Sequence, residues 1–67
     1  MQKFGEKLRE LRIDKKLSAK GLGLKIGVSD STIIRWENGT MLPTIDNLFN
    51  LCKFFGVSAD YLIGLEN

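Results

Sequence analysis

A chain of 67 residues, 43% apolar and 27% charged, with one Pro and a net charge of +2, makes one small domain with a modest core, not a linker or a disordered tail. Its longest apolar runs, such as Tyr61-Leu62-Ile63, are too short for a membrane span or a signal peptide. With no His and a single Cys, Cys52, the inventory excludes His-based acid–base catalysis, Ser-His-Asp and Cys-His nucleophiles, Cys/His zinc sites and an internal disulfide, and it points to a non-enzymatic protein of the reducing cytoplasm without metal or cofactor.

Phe4, Leu8 and Leu11 recur at helical spacing and predict an amphipathic helix over residues 2–15. Ser18 is a natural N-cap for a second helix, which carries Leu22 and Ile26 on one face and stops at Gly27. Gly21 and Gly23 weaken it by about 1 kcal/mol each relative to Ala. Ser29 caps a third helix, with Ile33 and Trp36 turned inward and Asn38-Gly39 closing it. After a loop over 39–43, Thr44 caps a fourth helix, apolar at Ile45, Leu48, Phe49, Leu51, Cys52, Phe54 and Phe55 and ending at Gly56. Cys52 lies among Leu48, Leu51 and Phe55, so a buried, inert thiol is expected. Ser58 caps a last short helix, from Asp60 to Ile63 before Gly64. No stretch alternates with period two, so an all-α domain of five helices over 1–67 is expected, with C-terminal helices at 44–55 and 58–64.

Charge is unevenly spread. Residues 1–35 hold nine cations against four acids, a net of +5, whereas 36–67 hold Lys53 against four acids, a net of −3. The positive half would be drawn to a polyanion, although a solvated Lys/Glu face on the first helix accounts for it as well.

The second and third helices are separated by Gly27-Val28-Ser29, which is the helix-turn-helix pattern, at about 18–37. In that pattern the second helix of the pair enters the DNA major groove and the first crosses the backbone. Gly23 lets the two helices approach closely, and Val28 and Ile33 are apolar where they meet; an unrelated helical hairpin would show the same. On the third helix, Asp30, Ser31, Ile34 and Arg35 face away from Ile33 and Trp36 and are the candidate base readers. Arg35 can grip guanine with two hydrogen bonds or clamp a phosphate, and Ser31 can donate or accept at a base edge. Ile34 either meets a thymine methyl or is merely tolerated there. Asp30 either accepts from a cytosine amino group or stabilises the positive start of its helix. Lys20 and the N–H groups at the start of the second helix can meet a phosphate, as can Thr32.

From Phe4 to Gly64 the chain resembles the helix-turn-helix domain of phage Cro and repressor proteins, the xenobiotic-response-element type. The matching stretches are Leu17-Ser18, Gly27-Val28-Ser29, Ser31-Thr32-Ile33 and Arg35-Trp36-Glu37-Asn38-Gly39, extended by Pro43, Leu48, Gly56-Val57-Ser58 and Asp60-Tyr61-Leu62. The resemblance implies a five-helix lambda-repressor-like domain that binds double-stranded operator DNA, usually as a dimer. It also implies phosphate contacts at Ser18 and at Asn38, Gly39 and Thr40, whose exposed N–H groups would approach the backbone. It implies a salt bridge between Arg12 and Glu37, tying the first helix to the end of the third. The chain departs from the family pattern at Ala19, where a phosphate-holding Gln is usual, and at Gly21 and Gly23, so a weaker grip per subunit is expected.

The fourth helix is apolar over too wide an arc for a domain of this size to cover. Phe54, Tyr61, Ile63 and Leu65 are therefore the expected dimer surface, and a two-fold pair would set its reading helices about 34 Å apart on a palindrome. These features point to a transcriptional repressor acting by occupancy, with no small-molecule ligand and no membrane partner. The alternative is a protein-interaction module on the same scaffold, favoured by Ala19, the two glycines and Asp30.

Overall fold

Side-chain caps set where the helices begin. Ser18, Ser29, Thr44 and Ser58 sit in extended backbone, and their hydroxyls accept from the N–H groups of Gly21, Thr32, Asn47 and Tyr61. Each such cap is worth about 1 kcal/mol. The computed structural model describes residues 3–65, with α1 at Phe4–Asp14, α2 at Ala19–Ile26, α3 at Asp30–Glu37, α4 at Ile45–Phe55 and α5 at Ala59–Ile63.

Helix α1 departs most from the expected span of 2–15. It starts behind Lys3, whose side chain makes no capping bond, while Gln2 lies outside the described residues. It ends through Lys16, which takes a left-handed φ of 58° although it is not a glycine. Helix α5 begins at Ala59, one residue before the expected Asp60, because its cap is Ser58.

Every helix supplies the core. Phe4 and Leu8 of α1, Leu22 of α2, Ile33 and Trp36 of α3, Leu51 of α4 and Leu62 of α5 are each no more than 1% exposed. Burying one such aliphatic side chain contributes about 1.5–3 kcal/mol. Helix α3 lies against both α1 and α2, while α4 closes on α2 and α5, and α5 returns to α1. Two of the buried side chains belong to α3, so the helix that carries the candidate readers is anchored along its inner side.

Candidate nucleic-acid interface

The turn between α2 and α3 is built from backbone. Gly27 ends α2 with a left-handed φ of 82°, and the N–H groups of Gly27 and Val28 both donate to the Gly23 carbonyl, at 2.8 and 2.9 Å. A Cβ on Gly23 would run into the carbonyl oxygen of Val28. The small residue at this position is thus a condition of the α2–α3 approach and not merely a weak helix former.

With Ile33 and Trp36 inward, the opposite side of α3 presents Asp30, Ser31, Ile34 and Arg35, all exposed. At 3.6 residues per turn these four span an arc of about 140°. Asp30 Oδ1 accepts from the Ser31 N–H at 2.8 Å, which places its carboxylate at the positive start of the helix. Arg35, one turn further on beside Ile34, has no acid paired with it among the described residues. Ile34 is 51% exposed, an apolar surface amid polar neighbours.

The candidate phosphate contacts fall into three groups. At the start of α2, the Ser18 hydroxyl is engaged as a cap on the Gly21 N–H at 2.9 Å, and Lys20 is exposed with no acid in the first turn. Thr32 is half-buried and its hydroxyl lies 2.9 Å from that of Ser29, so it belongs to the α3 cap. Beyond α3, the Asn38 side chain accepts from the Thr40 N–H at 3.1 Å and from its hydroxyl at 2.8 Å. Here the expectation of free N–H groups needs correction. Those of Asn38, Gly39, Thr40 and Met41 all point back to carbonyls of α3, at 2.9, 3.4, 3.0 and 3.3 Å. The loop closes on the helix it follows, leaving the outer surfaces of Asn38, Gly39 and Thr40 exposed.

Two contacts hold α3 against α1. The Arg12 guanidinium donates from Nε to Glu37 Oε2 at 2.6 Å and from Nη2 to Oε1 at 3.0 Å, and from Nη1 to the Leu17 carbonyl at 2.9 Å. The two side chains are 16% and 10% exposed. Hydrogen bonding to Glu37 pushes the Arg12 pKa above its already high ordinary value, against a smaller opposing effect of burial. The second contact was not read from the sequence. Gly5 is buried, and a Cβ there would collide with the Glu37 carbonyl oxygen. Its one available signal was a glycine inside an otherwise regular amphipathic helix, where it costs stability unless packing requires it.

The expected dimer residues are not brought together on one open face. Phe54 is half-buried against the core, edge-on to Phe55 with ring centroids 5.0 Å apart. Tyr61 is half-buried, with Lys7 Nζ 4.4 Å from its ring centroid, and Ile63 is half-buried too. Leu65 is 73% exposed, but the open apolar side chains of α4 are Ile45 at 84% and Phe49 at 60%. These two share a surface hollow with Leu48, Cys52 and Ala59. The most open apolar surface of α4 is therefore on the side away from Phe54, because packing of α4 on α2 half-buries Phe54 and leaves Ile45 and Phe49 exposed. Cys52 is half-buried at this hollow and not, as expected, fully buried, and its partial burial raises the thiol pKa, which favours the protonated form. Among the described residues no helix is long and apolar enough to cross a membrane.

A helix-turn-helix family profile matches residues 8–62. The chain is 38% identical over 63 residues to the HTH-type transcriptional activator BcrR of Enterococcus faecalis, covering 94% of this chain and 31% of that protein. It is 33% identical over 60 residues to the cryptic phage CTXphi transcriptional repressor RstR of Vibrio cholerae, covering 90% of this chain and 54% of that protein. The chain thus spans about a third to a half of the length of these curated relatives. It also superposes, with a TM-score of 0.84 and 37% identity over 88% of this chain and 89% of the other, on the P22 c2 repressor crystallised with a synthetic operator. The chain belongs to the Cro/C1-type helix-turn-helix family, with the all-α, five-helix lambda-repressor-like fold.

Proposed function

We propose that this protein is an intracellular transcriptional regulator that binds operator DNA through α3 and represses by occupying its site. The observation that carries this reading is the division of α3: Ile33 and Trp36 are sealed in the core while Asp30, Ser31, Ile34 and Arg35 stand exposed on the other side. The superposed P22 c2 repressor carries the same fold and was crystallised on an operator, which supports giving α3 the major-groove role. Arg35 reads guanine, Ser31 a neighbouring base edge and Ile34 a thymine methyl, while Asp30 stabilises the helix start. Lys20 and Ser18 at the start of α2, Thr32 in the first turn of α3, and the Asn38-Gly39-Thr40 surface position the domain on phosphates.

A second copy docks on the open apolar side of α4, at Ile45 and Phe49, with Leu65 adding apolar surface, and the pair reads a palindrome. Repression by occupancy requires nothing of the chain beyond tight placement on DNA. Mobility-shift selection from random duplex pools tests the reading. The native chain should select a defined sequence, and Arg35→Ala should lose about 1–3 kcal/mol of discrimination at one guanine position. Binding that never rises above a salt-sensitive, sequence-blind background would favour the interaction-module alternative instead.

A further inference from the structure

Phe54 is a large aromatic side chain that DNA binding leaves without a task. Together with Asn50 and Lys53 of α4 and with Lys25 and Ile26 from the last turn of α2, it lines a hollow of about 430 Å³. A third cation joins from the end of α1, where Lys15 Nζ stands 5.3 Å from the Phe54 ring centroid. Lys53 turns its ammonium towards the Phe49 ring, 5.4 Å from the centroid, but Lys15 and Lys25 are exposed, no carboxylate lines the hollow, and no ion pair engages either lysine among the described residues. The apolar floor is fixed in place, since Phe54 packs edge-on against Phe55 at an interplanar angle of 74°.

We propose that this hollow docks an acidic peptide segment of a partner protein, with one apolar side chain seated on Phe54 and Ile26 and flanking carboxylates on Lys15 and Lys25. Charge complementarity points to an anionic partner. The apolar floor points to a peptide and not to nucleic acid, because a duplex presents phosphates outermost and keeps its thymine methyls within the major groove, out of reach of a hollow on the protein surface. Placement agrees with this. The opposite flank of α2, with Lys20 and Leu24, opens beside Ser29 and Asp30 at the start of α3, so the Phe54 hollow lies on the flank facing α4. A regulator seated on DNA through α3 would keep this flank accessible to a protein neighbour.

The test is amide chemical-shift mapping of the isotope-labelled chain with a blocked Asp-Glu-Leu-Asp-Glu peptide. Two comparison probes are the same peptide with Gly in place of Leu and a short duplex of random sequence. The Leu peptide should shift the amides of Ile26, Asn50 and Phe54 in a saturable manner and bind at least about tenfold more tightly than its Gly counterpart. The double substitution Lys15→Glu with Lys25→Glu should weaken it by about tenfold or more while the amide dispersion stays that of the folded chain. Equal binding of the Gly peptide would overturn the proposal, since bare polyanion attraction would then suffice. So would shifts confined to other surfaces, or displacement of the peptide by the duplex from the same residues.

Discussion

Gly21 and Gly23 are separated by a single residue in α2, and the same composition argument assigns both the same cost, yet their surroundings differ. A Cβ on Gly21 would meet the Ser18 hydroxyl at 3.2 Å and the Leu17 side chain at 3.5 Å, contacts that yield by a few tenths of an ångström. At Gly23 the obstacle is the Val28 backbone, which is fixed by the turn. Gly21→Ala should therefore raise stability by up to about 1 kcal/mol through helix propensity, whereas Gly23→Ala should lower it. Thermal melts check the order, with Gly21→Ala above the native chain and Gly23→Ala below it. Gly23 was legible as a close-approach residue because it stands within the turn motif. Gly5 was not, because what it accommodates is a carbonyl at the far end of α3, and nothing local to α1 announces it.

Among the elements, the helix starts were the most readable part of the chain. A capping hydroxyl acts on an N–H three residues away, so Ser18, Ser29, Thr44 and Ser58 declare themselves without tertiary knowledge. The end of α1 was harder, because Lys16 takes a left-handed conformation with no glycine to signal it; the Leu17 N–H donating to the Arg12 carbonyl at 3.1 Å closes that turn. The bidentate pair between Arg12 and Glu37 then ties α1 to the last residue of α3, the helix proposed to read DNA. Removing either partner strands a largely buried charge. Glu37→Ala should accordingly cost about 3 kcal/mol in denaturant titrations, and operator affinity should fall with it. The Arg12 pKa is raised, so the guanidinium is charged at every pH below its high ordinary value and loses its proton only above it. The coupling between the two residues, taken from a double-mutant cycle, should therefore be the same at about pH 7 and about pH 10.

For the whole molecule, the wide apolar arc of α4 was visible in the sequence, but its open side was not. Periodicity places Phe54 and Phe49 on different sides of a helix without saying which side a neighbour covers. Packing of α4 on α2 decides it, half-burying Phe54 and leaving Ile45 and Phe49 exposed. If a second copy docks there, Phe49→Asp should leave the fold intact, because that ring contributes little to the core. It should convert dimer to monomer in sedimentation equilibrium and weaken binding to a palindrome far more than to a single half-site. The exposure of the proposed base readers was legible because it follows from the inward positions of Ile33 and Trp36. The N–H groups after α3 were misjudged because their return to the α3 carbonyls is a property of the loop's path, which no residue type specifies.

In the proposed complex the exposed arc of α3 meets base edges. Amide chemical-shift mapping on a selected operator, against a scrambled duplex of equal length and charge, tests it most directly. Ser31, Ile34 and Arg35 should show the largest changes on the operator and much smaller ones on the scrambled duplex. An operator that binds tightly while leaving these three residues unmoved and shifts another surface would contradict the account.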